Sequence, residues 1–227
     1  MRFLRNWLEP RILGIVAAVA STLWIFIEIA EDVVEGDTRA LDNAILLALR
    51  APGEPDSPLG PAWIEAVARD VTALGSFTVL GLVVAAVTVF LLLARRHRTA
   101  MFVLLGTSSG MLASVLLKGA FSRPRPDIFP HGDFVISASF PSGHAMLSAI
   151  VYLTLGALLA RLVPRRGLKL YVMSIALALT VIVGLSRIYL GVHWPTDVLA
   201  GWAAGAAWAL GWWGAAELVK LRSGERA

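Results

Sequence analysis

At 227 residues, 57% of them hydrophobic and 16% charged, with a mean hydropathy of +0.73, the chain is too apolar for an ordinary soluble domain. It contains no cysteine, which excludes disulfides and thiolate metal sites. Its net charge of +4 does not point to nucleic acid, because the basic residues cluster at the ends of apolar runs, the pattern of topology control and of contact with anionic headgroups.

The apolar material comes in blocks of about 20 residues, the length an α-helix needs to cross ~30 Å of hydrocarbon. In chain order the blocks lie at 12–30, 71–94, 99–117, 145–162, 168–185 and 195–218. This predicts an all-α fold: a polytopic membrane helix bundle of about six transmembrane helices, forming one domain over 1–227. The first block follows Arg2, Arg5 and Arg11, but its apolar stretch is too long for a signal peptide and no small-residue cleavage site follows. It is read as a retained span.

Basic residues set the orientation. Arg2, Arg5 and Arg11 precede the first block; Arg95, Arg96 and Arg98 join the second and third; Arg161, Arg165, Arg166 and Lys169 join the fourth and fifth; Lys220, Arg222 and Arg226 close the chain. All four groups fall on one side, which the positive-inside rule makes cytoplasmic, with both termini. The long segment 31–69 falls on the other side, where Glu31, Asp32, Glu35, Asp37, Asp42, Glu54, Asp56 and Glu65 outnumber three arginines. Within it an apolar stretch at 44–49, a Pro/Gly-rich turn at 52–61 and a helical piece from about Ala62 predict an element lying along the membrane surface. Trp7, Trp63, Trp194, Trp212 and Trp213 stand near span ends and read as interface anchors. In the last block Gly201 and Gly205 form a small-xxx-small pair suited to packing within the bundle more than to dimerisation, so a monomer or weak homodimer is expected.

Three clusters break the charge rule. Lys118, Arg123 and Arg125 follow the third block, and Arg187 ends the fifth, all on the non-cytoplasmic side. Holding a cation at membrane depth costs about 2.5–3.5 kcal/mol at a helix centre and less at the ends, so such residues usually serve a function. Grouped by position they are Lys118 with Arg125-Pro126, then Pro141-Ser142-Gly143-His144, then Ser186-Arg187 with His193 and Asp197. Each group stands at the same end of its span.

The chemistry follows from the residue types. Lys118, Arg125 and Arg187 can clamp a phosphate, arginine with a fixed fork of donors and lysine as a point charge. Ser142 and Gly143 stand where a helix begins, with free backbone N–H groups and a dipole that favours an anion. His193 precedes Pro195, a favoured first helical residue, and Asp197 follows one turn on, able to hold the Nδ1 proton and leave Nε2 as a nucleophile. His144 is suited to protonating a leaving oxygen and then activating water. Singly, each has a plainer account, the arginines as snorkelling anchors and Pro141 and Gly143 as a loop-to-helix turn. Their coincidence at one level of the bundle argues for a site.

On these residues the sequence resembles the type 2 phosphatidic acid phosphatase superfamily. Its signature is lysine, six residues, Arg-Pro; then Pro-Ser-Gly-His; then Ser-Arg, five residues, histidine, three residues, aspartate. Every position matches, with the motif-bearing region running over 118–197. The resemblance implies phosphorylation of His193, acid/base work by His144, and phosphate binding by Lys118, Arg125, Ser142, Gly143 and Arg187. No metal and no other cofactor is expected. Arg123, Asp127, His131 and Asp133 lie between the motifs and read as residues that solvate the outer loop. The expected substrate is a membrane lipid phosphate or pyrophosphate, of the undecaprenyl pyrophosphate, phosphatidylglycerol phosphate or phosphatidic acid class. The expected location is a bacterial inner membrane, with the site facing outward.

Two other readings of the same residues are a lipid phosphotransferase and a transporter. A transporter would hold its ionisable groups near the bilayer midplane, whereas these gather at one end. The long apolar blocks disfavour the soluble, vanadate-binding branch of the superfamily.

Overall fold

A computed structural model describes residues 10–127 and 138–223, and so leaves Trp7, His131 and Asp133 outside. Among the described residues there are eight helices: α1 (Pro10–Glu35), α2 (Arg39–Ala48), α3 (Ala62–Ala73), α4 (Phe77–Leu93), α5 (His97–Ala120), α6 (Gly143–Leu162), α7 (Arg166–Tyr189) and α8 (Pro195–Ser223). A small antiparallel hairpin, β1 (Arg50–Ala51) with β2 (Glu54–Pro58), follows α2. Gly36 and Gly53, both at positive φ, turn the chain at the end of α1 and in this hairpin.

By length and composition four helices can cross a membrane: α1 over Ile12–Glu35, α5, α6 and α7. The pair α3 and α4, bent by 46°, makes a fifth if taken as one broken span. The expected helix over 71–94 is therefore interrupted, and residues 71–73 belong to α3. The break falls at Leu74, Gly75 and Ser76. Ser76 caps α4 by accepting from the Val79 N–H at 3.2 Å, and a side chain at Gly75 would collide with Val183 of α7. At 29 residues α8 is long enough to cross, but its Gly, Ala and Trp content leaves it outside the most apolar set.

The reason is its position. Helix α8 packs along α1 and α6, and α6 in turn packs on α4, α5, α7 and α8. Residues Ala145 to Val151 of α6 are all buried, so no solvated or lipid-facing stripe is visible in that stretch. The main core joins Leu80, Val84 and Leu91 of α4, Val103 of α5, Met146 and Ile150 of α6, and Ala204 of α8. A Cβ added at Gly201 would lie 2.7 Å from the Ser142 carbonyl oxygen, and one at Gly205 2.6 Å from that of Met146. The small-residue pair is thus used inside the bundle, where it lets two backbones approach closely. Leu82, Phe90, Leu93, Val115 and Leu170 point outward, giving the apolar exterior of a bilayer protein.

Two of the tryptophans read as anchors have another task. Trp212 stacks on Phe102 at 5.7 Å and donates to the Phe102 carbonyl at 2.8 Å, its ring fitting against Gly106. Trp194 donates to the Pro124 carbonyl at 3.0 Å and packs against the cluster of Leu46, Ala145, Ile188 and Val198. Trp63 is exposed, as an anchor would be. Trp213 lies under the Arg161 guanidinium at 3.6 Å, and Arg161 also pairs with Glu217, tying α6 to α8 at their far ends.

The segment 31–69 folds back over the start of α8 and the end of α7. Leu46 of α2 is fully buried there, Arg50 donates to the Tyr189 carbonyl at 2.8 Å, and the Tyr189 hydroxyl donates to Leu59 at 2.8 Å.

Candidate active site

The three motif groups converge at the end of the bundle where α5 and α7 stop and α6 and α8 begin. Lys118, in the last turn of α5, donates to the Ala138 carbonyl at 2.9 Å, with Arg125, Asp197 and Arg187 near enough to act on it electrostatically. Its stem passes Gly143, where an added Cβ would lie 3.1 Å from Lys118 Cε. Ser142 precedes α6, and its N–H donates to the Asp197 carbonyl at 2.9 Å, which fastens the start of α6 to the start of α8. The Ser142 hydroxyl is buried and has no hydrogen-bond partner among the described residues. A buried polar group in that state costs about 1–3 kcal/mol, and a ligand oxygen would relieve it.

His144 sits one residue into α6 with Arg187, His193, Lys118 and Arg125 close enough to act on it. Its ring is held against the helix break: a Cβ at Gly75 would be 3.3 Å from both Cβ and Cδ2 of His144. Arg187, buried at the end of α7, donates from NH1 to the Thr72 hydroxyl at 3.0 Å. The end of α3 thus supports two site residues, a role that the sequence does not announce.

His193 lies in the turn between α7 and α8, which Gly191 opens at a φ of 73°. The ring is buried. Arg125 NH1 stands 3.1 Å from Nε2 and also donates to the Val192 carbonyl at 2.7 Å. A guanidinium has only donors, so Nε2 is the accepting, unprotonated nitrogen and the ring proton sits on Nδ1. Nδ1 is 3.4 Å from both Asp197 Oδ2 and the Ser139 hydroxyl, a loose contact of the kind that tightens around a substrate. Burial, helped by Arg125 and Arg187 and opposed by Asp197, pushes the imidazole from 6.5 down to about 3, so it is neutral at physiological pH. Burial likewise lowers Arg125 from its ordinary value.

Asp197, in the first turn of α8, is fully buried and well supplied with donors. Oδ2 accepts from the Trp194 N–H at 3.0 Å and from the Ser139 hydroxyl; Oδ1 accepts from Arg123 NH1 at 2.6 Å. Arg123 therefore does not solvate the loop, as its sequence position led us to expect. Its side chain is 11% exposed and bridges Asp197 to Asp42 of α2, 2.7 Å from NH2. Asp127 is exposed.

All eight residues singled out from the sequence, Lys118, Arg125, Ser142, Gly143, His144, Arg187, His193 and Asp197, come together here. Ser139, Asp42 and Thr72 were missed as site residues, and Arg123 was assigned to the loop. For Asp42 there was one signal: it precedes Leu46 by four, putting both on the face of α2 that turns inward. The arrangement offers a neutral imidazole backed by a carboxylate, a second imidazole, three cations and a helix N-terminus, the parts needed to transfer a phosphoryl group through the protein.

Comparison with known proteins gives the same direction. The family model of the PAP2 superfamily matches residues 99–219. Phosphatidylglycerophosphatase B of Bacillus subtilis is 33% identical over 166 residues, covering 72% of this chain and 80% of that one. Decaprenylphosphoryl-5-phosphoribose phosphatase of Mycobacterium tuberculosis is 33% identical over 144 residues, covering 62% and 74%. The crystal structure of a transmembrane PAP2 type phosphatidylglycerolphosphate phosphatase from Bacillus subtilis superposes with a TM-score of 0.73 at 29% identity, covering 91% of this chain and 97% of that one.

Proposed function

This chain belongs to the PAP2 superfamily, and from that premise we propose that it hydrolyses a membrane lipid phosphate or pyrophosphate, without a metal, through a phosphohistidine. The observation that carries the mechanism is the geometry around His193: Arg125 NH1 3.1 Å from Nε2 and Asp197 Oδ2 3.4 Å from Nδ1, an arrangement that favours a neutral ring with its proton on Nδ1.

The substrate phosphate sits against the first turn of α6, where the Ser142 hydroxyl gains a partner and Lys118, Arg125 and Arg187 neutralise the anionic oxygens. Arg125 moves from Nε2 to a phosphate oxygen, opening the line of attack. Nε2 forms the P–N bond as the bond from phosphorus to the leaving oxygen breaks, that of the lipid alcohol in a lipid phosphate or of the lipid phosphate in a pyrophosphate, and His144 protonates that oxygen where it leaves as an alcohol. Asp197 stabilises the positive charge that the ring acquires. His144 then takes a proton from water, which attacks phosphorus and releases inorganic phosphate and neutral His193. The lipid tail anchors the substrate and takes no part in the chemistry. Relatives named for phosphatidylglycerophosphate and for a decaprenylphosphoryl sugar phosphate support a substrate whose phosphate rides on a greasy anchor.

The full bundle has six spans, α3 with α4 and α8 among them, in a bacterial inner membrane. The basic residues Arg95, Arg96, Arg165 and Arg166 at the end opposite the site support cytoplasmic termini and an active site facing the periplasm or exterior. The internal use of Gly201 and Gly205 supports a monomer. The test is phosphate release by purified protein in detergent from phosphatidylglycerol phosphate, phosphatidic acid and undecaprenyl pyrophosphate, with a chelator present. Turnover is expected in chelator and is lost in His193→Ala with the fold retained. Chelator-sensitive activity, or substantial activity in His193→Ala, overturns the reading.

A further inference from the structure

We propose that Arg123 and Asp42 are positioning residues for the nucleophile, and that helix α2, outside the family motifs, is thereby part of the catalytic assembly; this rests on the phosphatase reading above. Arg123 lies between two buried carboxylates. NH1 donates to Asp197 Oδ1 at 2.6 Å and to the Thr196 hydroxyl at 2.9 Å, while NH2 donates to Asp42 Oδ2 at 2.7 Å and to the Thr38 hydroxyl at 3.1 Å. Asp42 also accepts from the Thr196 N–H at 3.0 Å and from its hydroxyl at 2.7 Å, so α2 grips the first turn of α8 directly. The Arg123 guanidinium also lies over the Trp194 ring at 5.5 Å.

Two physical consequences follow. The contact helps to set which carboxylate oxygen faces the ring: Arg123 holds Oδ1, while Oδ2, held by the Trp194 N–H and the Ser139 hydroxyl, is the oxygen presented to His193 Nδ1. The charge balance matters as much. Arg123 alone would neutralise Asp197 and weaken its hold on the Nδ1 proton. With Asp42 on the other side, two carboxylates share one guanidinium and the group keeps a net negative charge, which favours the cationic ring formed as the P–N bond is made. Arg123 contacts Oδ1, not the oxygen that faces His193, and Asp42 contacts Arg123 and Thr196, so both act through Asp197 rather than on the substrate. The segment 31–69 thus contributes to the chemistry through Thr38 and Asp42.

The test uses the full chain in detergent with a short-chain phosphatidic acid as probe. Asp42→Asn keeps the side chain's shape and removes its charge. Its kcat is expected to fall by about tenfold or more with KM within about twofold of wild type, and Asp42→Glu is expected to recover part of the loss. Folding is checked by size-exclusion chromatography and thermal unfolding. A folded Asp42→Asn with kcat within about threefold of wild type overturns the inference, as does a fall confined to thermal stability. If Asp42→Asn yields no folded protein, Thr38→Val decides, since it removes one acceptor from Arg123 without leaving a buried charge. A kcat reduced by about threefold supports the inference and an unchanged one overturns it. Wild type and His193→Ala run alongside. Absence of wild-type turnover on phosphatidic acid, phosphatidylglycerol phosphate and undecaprenyl pyrophosphate alike sinks the phosphatase reading and this inference with it, whereas normal wild type on any of them, inactive His193→Ala and fully active Asp42→Asn sink the inference alone.

Discussion

Gly143→Ala separates activity from stability at one atom's resolution. Gly143 opens α6, and the glycines at positive φ are Gly36, Gly53, Gly60 and Gly191, so its backbone already suits alanine. Helix propensity would favour the change by up to about 1 kcal/mol. The new methyl, however, would lie 3.1 Å from Lys118 Cε, 3.9 Å from Ser114 Oγ and 4.0 Å from Lys118 Nζ. Carbon atoms prefer roughly 3.5–4.0 Å, so the lysine stem must shift by a few tenths of an ångström. That shift is cheap for the fold, because the stem is flexible, but it moves the ammonium and puts a methyl where phosphate oxygens meet the helix N-terminus. Losing one charge-assisted hydrogen bond is worth about 1.5–3 kcal/mol, which corresponds to a fall of roughly 10- to 150-fold in kcat/KM. The assay is phosphate release from a short-chain lipid phosphate in detergent, beside thermal unfolding of the same preparation. A kcat/KM within about threefold of wild type refutes the placement of phosphate between Lys118 and α6. A fall in melting temperature that tracks the loss of activity refutes the separation.

The burial of His193 makes stability depend on pH. Its folded value, about 3, lies below the ordinary 6.5, so between them the unfolded chain binds more protons. The contribution is complete above pH 6.5 and is lost as pH falls toward 3; wild-type melting temperature is expected to drop over that range, with a shallower slope in His193→Ala. Thr72→Val removes the acceptor 3.0 Å from Arg187 and is expected to cut kcat/KM roughly two- to tenfold, with Thr72→Ser restoring it. Gly205→Leu forces side-chain atoms into a space where a Cβ would already be 2.7 Å from Ala149 Cβ. Overpacking by about 1–3 kcal/mol translates into a melting temperature lower by roughly 2–12 °C, and an unchanged value would mean that α6 and α8 do not pack as described.

Most of the helical plan was legible because in hydrocarbon a segment must satisfy its own backbone, which leaves a local record as a block of about 20 apolar residues. Helices α1, α5, α6 and α7 follow their blocks with ends moved by a few residues. The site was legible for a related reason. Each motif is compact, as in the four-residue step from His193 to Asp197, and a cation at a span end on the acidic side stands out against its surroundings.

What the sequence left unstated lies in contacts between distant segments. Nothing near Gly75 reports that Val183 and His144 press on it, so the break between α3 and α4 came only with the fold. The motif spacing picks Arg125 for the pocket, but nothing in the Arg-Pro-Arg-Pro stretch says that Arg123 is shared between Asp197 and an aspartate 81 positions earlier. Periodicity and charge bias record what a residue does with its helix neighbours and with the membrane. An ion pair buried between two helices leaves neither trace, because its geometry exists only once both helices are in place.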